Sequence, residues 1–77
     1  MSKQWSFETP QGTVTVTECG NYRKSSPFDT ECHDYSIECG DYYEDVYEAG
    51  DVELADALES AGFEIDRKAV YAAVAGR

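Results

Sequence analysis

Four residues carry the thiol and imidazole groups that bind zinc or act as a nucleophile and its general base: Cys19, Cys32, His33 and Cys39. Zinc sites usually contain ligand pairs with short spacings such as Cys-x-x-Cys, whereas twelve and then six residues separate these cysteines. Cys32 and His33 are adjacent, so their side chains point in opposite directions if this stretch is extended. We therefore predict no metal and no other cofactor, and interpret the cysteines as three reduced thiols. A zinc site and a Cys32–Cys39 disulfide are the alternatives.

Catalysis would depend on His33, the single histidine, acting as a general base for a cysteine nucleophile. The sequence contains no phosphate-binding glycine loop, no His-Glu-x-x-His motif and no Gly-x-Ser-x-Gly motif. A lone histidine among acids is more often a charge partner on the surface. A chain of 77 residues also has little material for both a core and a deep pocket. We predict that the protein is not an enzyme.

Acidic residues dominate the charge of the chain. It contains 16 Asp and Glu against 6 Lys and Arg, which gives a net charge of −10 at pH 7. All the acids except Glu8 and Glu18 lie between Lys24 and Arg67, and no lysine or arginine lies among them. This charge excludes direct binding to nucleic acid or anionic lipid through a basic surface, and it favours a basic partner.

Nothing in the sequence indicates a membrane segment or a leader. No apolar run approaches the roughly 20 residues that a membrane-spanning helix requires. Residues 1–10 mix charged and aromatic residues and lack the apolar centre of a signal peptide. We expect a cytoplasmic protein.

Alternation of apolar and polar residues predicts an antiparallel sheet in the first two thirds of the chain. Two alternating segments joined by a turn at Pro10–Gly12 predict a hairpin over residues 4–19. A third alternating segment covers residues 33–39. Residues 42–48 fit a strand or a helix, and their tyrosine and valine content favours a fourth strand.

The last third of the chain predicts two short helices, at about 52–61 and 67–75. Asp51 and Asp66 are candidate N-caps, and Gly62 followed by Phe63 is typical of a Schellman end. A helix-turn-helix that binds DNA is disfavoured because the first helix presents a row of acids. The sequence thus predicts one small α+β domain over residues 1–77, in which a sheet of three or four antiparallel strands carries both helices on one face.

Ten acids in this segment are candidate partner-binding residues because their spacing is similar to that of phosphates. Outward residues two apart on a strand are about 6.6 Å apart, and successive phosphates on one DNA strand are roughly 7 Å apart. Acids three apart on a helix are about 5–6 Å apart. The ten are Asp34, Glu38, Asp41, Glu44, Asp45, Glu48, Asp51, Glu53, Asp56 and Glu59.

Three tyrosines, Tyr42, Tyr43 and Tyr47, interleave with these acids. Tyrosines are effective interface anchors, and here they would occupy the space that bases fill in a duplex. For two of the three, a half-buried position in the sheet is an equally good interpretation.

In size, charge layout and α+β order, the segment from Asp29 to Asp66 resembles the small acidic phage anti-CRISPR proteins that imitate double-stranded DNA. Among these it is most similar to an inhibitor of type I-C systems. The resemblance implies that the acids bind the Lys- and Arg-lined DNA surface of a CRISPR surveillance complex in the host cytoplasm. Target DNA would be excluded from that surface, and no cofactor would be needed.

Two other interpretations remain. The same acids would serve an inhibitor or antitoxin-like partner of another basic protein, such as a restriction enzyme, a glycosylase or a nucleoid protein. Alternatively, they form a solvated surface that keeps the domain soluble. Acids crowded without interleaved bases repel one another, which argues against this last interpretation.

Overall fold

The computed structural model describes residues 3–19 and 33–75. Its elements are β1 (Lys3–Thr9), β2 (Gly12–Glu18), β3 (His33–Cys39), β4 (Tyr42–Ala49), α1 (Asp51–Ser60) and α2 (Arg67–Ala75). The strands form one antiparallel sheet in the order β1-β2-β3-β4, and both helices follow it in the chain. The predicted α+β fold is confirmed, and residues 42–48 are part of a strand.

The core lies on one face of the sheet, between the strands and the two helices. Alternate residues of the central strands are fully buried, including Val14, Val16 and Ile37. Leu54 and Leu58 of α1 pack into the same cluster, together with Val70 of α2. The period-two pattern of the strands therefore selects the buried face, and the apolar stripe of each helix covers it.

The end of α1 is the Schellman motif that the sequence predicts. Gly62 has φ +97°, its N–H donates to the Glu59 carbonyl at 3.0 Å, and the Phe63 N–H donates to the Leu58 carbonyl at 3.1 Å. Glycine adopts this φ without steric cost. Phe63 is buried in the core beside Leu58.

The helix starts agree with the prediction at one helix only. The Asp66 carboxylate accepts the N–H of Lys68 at 3.0 Å and caps α2, as predicted. At α1 the predicted cap, Asp51, is wrong. Gly50 is the N-cap, and its N–H donates to the Glu53 carboxylate at 3.0 Å. Since Glu53 already supplies a carboxylate three residues after Gly50, the helix begins one residue earlier than the sequence indicates.

An ion-pair cluster joins the two helices. Arg67 at the start of α2 donates to Asp56 at 2.9 Å and also pairs with Glu59, both on α1. Its Nε–H donates to the Tyr71 hydroxyl at 2.9 Å. The hydroxyl of Tyr71 and the Asp56 carboxylate raise the pKa of Arg67 above its ordinary value. A helix-turn-helix would present Arg67 to DNA phosphates, whereas here two carboxylates hold it.

Gln11 connects the β1–β2 turn to the segment between the helices. Its side-chain carbonyl accepts the Glu64 N–H at 2.9 Å, and its amide donates to the Glu64 carboxylate at 3.4 Å. The first hairpin is thereby tied to the helical layer at a second place besides the core.

We expect Leu58→Ala to lower the free energy of unfolding by about 2–5 kcal/mol, because Leu58 is fully buried and its truncation leaves a cavity. Val52, on the same helix, is 44% exposed, so Val52→Ala is the matched control and should change stability by less than about 0.5 kcal/mol. Urea unfolding followed by circular dichroism measures both. Equal losses in the two variants would contradict this assignment of the core.

Candidate acidic interaction surface

The strand register places three of the predicted acids on the sheet face that points away from the helices. Glu38 lies opposite Tyr43, and Asp45 lies opposite Ser36. Asp45 is therefore the diagonal cross-strand neighbour of Glu38, and also of Asp34 at the other end of β3. Diagonal neighbours are about 7–8 Å apart. The three carboxylates form a zigzag row whose steps are close to the spacing of phosphates.

The predicted spacing along a single strand is wrong. On β4, Glu44 and Asp45 are adjacent and point to opposite faces, while Asp45 has tyrosines two residues before and after it. In residues 3–19 and 33–49, no strand has acidic residues at positions i and i+2 on its outer face. The phosphate-like distance thus arises between strands, because β3 and β4 pair in this register.

Asp34 lies opposite a β-bulge in β4. His33 pairs with Ala49 and Tyr35 with Val46, so that two residues of β4, Tyr47 and Glu48, stand opposite Asp34 alone. The Asp34 carboxylate accepts the Glu48 N–H at 2.9 Å, and Glu48 has φ +50°. Any residue with a Cβ atom is strained in this left-handed region, so only glycine adopts it without cost. Asp34 therefore acts mainly in the fold, since it holds the bulge.

On the outer face of β4, a carboxylate stands between two exposed tyrosines. The hydroxyl of Tyr43 donates to Asp45 Oδ1 at 2.8 Å, and the hydroxyl of Tyr47 reaches Asp45 Oδ2 at 3.3 Å. Tyr43 is 58% and Tyr47 is 68% exposed. The hydrogen bond to Asp45 raises the pKa of Tyr43, and the negative charge of Asp45 raises that of Tyr47.

Tyr42 points to the helix side of the sheet instead. Its ring meets the Phe63 ring edge to face, with centroids 5.3 Å apart. Its hydroxyl donates to Glu44, which raises the pKa of Tyr42. The alternative that two of the three tyrosines are half-buried sheet residues therefore holds for one of them. Only Tyr42 is half-buried, because the alternation of β4 turns Tyr43 outward and the bulge leaves Tyr47 outward too.

The acids of α1 are exposed, but most of them have partners within the chain. Asp56 and Glu59 are paired with Arg67, and Glu53 accepts the N–H of Gly50. Asp51, in the first turn, accepts only the N–H of Val52, at 2.8 Å. A carboxylate that is already paired has less to gain from a basic partner.

Six of the predicted acids remain as the candidate interaction surface, here called the acidic edge: Glu38, Asp41, Glu44, Asp45, Glu48 and Asp51. All six are exposed, and they lie on β3–β4, on the turn between these strands and at the start of α1. In residues 3–19 and 33–75, none of them is within ion-pair distance of a lysine or arginine. Gly40 carries the positive φ of this turn, +59°, and leaves Asp41 outward.

His33 is not on the surface, contrary to the sequence prediction. It is 6% exposed and its Nδ1 contacts the carboxylate of Glu18, where β2 ends and β3 begins. Its neighbour is thus a carboxylate, but one inside the fold rather than on the surface. The surface location is wrong because position 33 belongs to the buried face of β3.

Two of the three cysteines, Cys19 and Cys39, lie among the described residues. Cys19 and Cys39 are both free thiols, whereas Cys32 lies outside the described residues, and so does the alternative Cys32–Cys39 disulfide. The described ranges contain no group of three or more potential ligands positioned around a metal site.

Neither α1 nor α2 is long and apolar enough to cross a membrane.

No protein-family model, curated protein or solved structure matches this chain. The geometry and charge of its own residues therefore carry any assignment of function.

We expect Glu48→Gly to raise the free energy of unfolding by about 0.5–1 kcal/mol relative to Glu48→Ala. Both variants remove the carboxylate, but only glycine relieves the backbone at φ +50°. Urea unfolding of the two variants measures the difference. If alanine were as stable as glycine, the bulge would not hold residue 48 in the left-handed region.

We expect Asp45→Asn to lower the pKa values of Tyr43 and Tyr47 while leaving that of Tyr42 unchanged. We expect Glu44→Gln to lower the pKa of Tyr42 and to leave those of Tyr43 and Tyr47 unchanged. Each pKa is higher in the folded than in the unfolded chain, so the folded state keeps protons that the unfolded state loses. The contribution of these tyrosines to the free energy of unfolding is therefore fully present below about pH 10, and it is lost as the pH rises through their folded pKa values. Titration of the tyrosine ring signals by NMR measures each group. Unchanged pKa values of Tyr43 and Tyr47 in Asp45→Asn would show that these hydrogen bonds do not form in solution.

Proposed function

We propose that this protein is an acidic mimic of double-stranded DNA that inhibits a CRISPR surveillance complex in the host cytoplasm. In this proposal, the acidic edge occupies the basic surface to which target DNA binds, and DNA is excluded by competition. The inhibitor itself needs no cofactor and catalyses no reaction. The observation that carries the proposal is the acidic edge, a set of exposed carboxylates without lysine or arginine partners in the described part of the chain.

The charge and the dimensions of the molecule support this proposal. The longest principal extent is 38 Å. Over that length, a DNA duplex carries about 22 phosphates, at one per roughly 1.7 Å of axis with both strands counted. The chain has 16 acidic side chains and a net charge of −10. A surface that binds DNA through phosphates would therefore meet about half the charge of a duplex on a body of similar length.

The arrangement of the groups supports it as well. Glu38 and Asp45 are diagonal neighbours at about the distance between phosphates. Carboxylates accept paired hydrogen bonds from arginine, as phosphates do. Opposite charges also accelerate the encounter of the two proteins. The exposed rings of Tyr43 and Tyr47 add the apolar area that interfaces need near their centre.

The first experiment is capture of the tagged protein on purified surveillance complexes, of type I-C and of other types, followed by competition with target DNA. Mutual displacement of the protein and DNA is the expected result. Binding that DNA leaves unchanged would contradict mimicry. If no surveillance complex binds, the CRISPR target is wrong. The same assay is then applied to restriction enzymes, glycosylases and nucleoid proteins, because their basic surfaces present the same chemistry.

We expect the triple variant Glu38→Lys, Asp41→Lys, Asp45→Lys to raise the concentration needed for half-inhibition of DNA binding by about a hundredfold or more. These positions are exposed, so the fold should be retained. Glu53→Lys is avoided, since Glu53 also caps α1.

The control is Glu8→Lys, which makes one of the three charge reversals at an exposed position on β1, the opposite edge of the sheet. It should alter inhibition by no more than about threefold, because the exposed charges of the two edges are largely screened from each other. Circular dichroism of every variant verifies folding. Inhibition that survives the triple reversal in a folded protein would contradict the proposed function.

A further inference from the structure

From the geometry of β4 we infer that Tyr43, Asp45 and Tyr47 form a clasp for a single arginine side chain of the partner protein. This arginine clasp rests on the proposed function in one respect, namely that the partner presents a basic surface. It goes further because it names the residue type that the partner inserts and the three side chains that hold it.

The Asp45 carboxylate retains the accepting capacity that an arginine requires. A carboxylate has about four lone-pair sites, two on each oxygen. Tyr43 donates to Oδ1 and Tyr47 approaches Oδ2, so each oxygen keeps one site for another donor. The guanidinium group has two parallel N–H donors with the spacing of the two carboxylate oxygens. The two tyrosine hydroxyls hold the Asp45 carboxylate in place between them.

The two tyrosine rings provide the walls of the clasp. Both are more than half exposed on the outer face of the sheet, on either side of the carboxylate. Guanidinium groups stack on aromatic rings and are attracted by their negative faces, and they lose less hydration in doing so than an ammonium group does. The same chain shows this contact internally, because the guanidinium of Arg67 lies over the Tyr71 ring at 5.6 Å.

Charge complementarity identifies the occupant as a cation. Glu38 is a diagonal neighbour of Asp45, and Glu44 and Glu48 are on the same strand. The carboxylate, the fork geometry and the two rings together favour arginine over lysine. A lysine would gain the charge attraction but neither the paired hydrogen bonds nor the stacking.

The test uses two short peptides with the same sequence, in which the basic positions are all arginine or all lysine. Binding to the full chain is measured by NMR titration, which reports shifts of the β4 residues directly. We expect the arginine peptide to bind about tenfold more tightly, with the largest shifts at residues 43–47. Asp45→Asn should remove most of this preference. Tyr43→Leu and Tyr47→Leu should each reduce it by about threefold.

Asp41→Asn is the matched control, because it removes one exposed carboxylate from the same surface, and no tyrosine hydroxyl of residues 3–19 or 33–75 is bound to that carboxylate. It should weaken both peptides equally and leave their ratio unchanged. Tyr43→Phe keeps the ring and should retain the stacking, which separates the role of the ring from that of the hydroxyl. Thermal unfolding of each variant verifies that it is folded.

Equal binding of the two peptides, or the same ratio in Asp45→Asn as in Asp41→Asn, would overturn the arginine clasp. This result is distinguishable from failure of the proposed function. If DNA competes with the inhibitor and the peptide preference is absent, mimicry stands without the clasp. If the preference is present and DNA does not compete, the clasp stands and serves another arginine-bearing partner.

Discussion

The fold depends on one buried apolar layer between the sheet and the helices, and the most acidic part of the chain must supply most of it. Tyr35, Ile37, Leu54 and Leu58 all lie in the segment from which lysine and arginine are absent. Acids and core residues share this segment because they point in different directions. In the strands the two kinds of residue alternate between the faces of the sheet, and in α1 they occupy opposite sides of the helix. Burial of the apolar layer therefore forces the carboxylates outward, away from low dielectric.

The acidic edge differs from the other acids in how its charge is balanced. Arg67 neutralises Asp56 and Glu59 where the helices meet, and the backbone N–H groups of Gly50 and Glu48 occupy Glu53 and Asp34. These contacts use negative charge to hold the fold together. The six acids of the acidic edge have no lysine or arginine partner in the described part of the chain, so their mutual repulsion is a cost that the apolar layer must offset.

Much of this fold is predictable from the sequence, and the exceptions have physical causes. The hairpins follow from period-two alternation, and the end of α1 follows from Gly62 and Phe63, because these signals are local. The bulge at Glu48 is not visible locally, since it arises from one extra residue in β4 relative to β3. Which carboxylates are paired within the chain is not predictable in this way. All ten candidate acids look equivalent in the sequence, and only the packing of α2 against α1 brings Arg67 to Asp56 and Glu59.

The strongest alternative to a binding role is protection of the sheet edge. β4 is the last strand of the sheet, and charges on edge strands prevent pairing with other chains. That role accounts for Glu44 and Glu48. It does not account for Tyr43 and Tyr47, because large exposed aromatic rings on an edge strand promote the association that the acids would prevent. Tyrosine is among the residue types enriched at the energetic centres of protein interfaces. The two tyrosines, more than the number of acids, are therefore the feature that favours a partner over a merely solvated acidic surface.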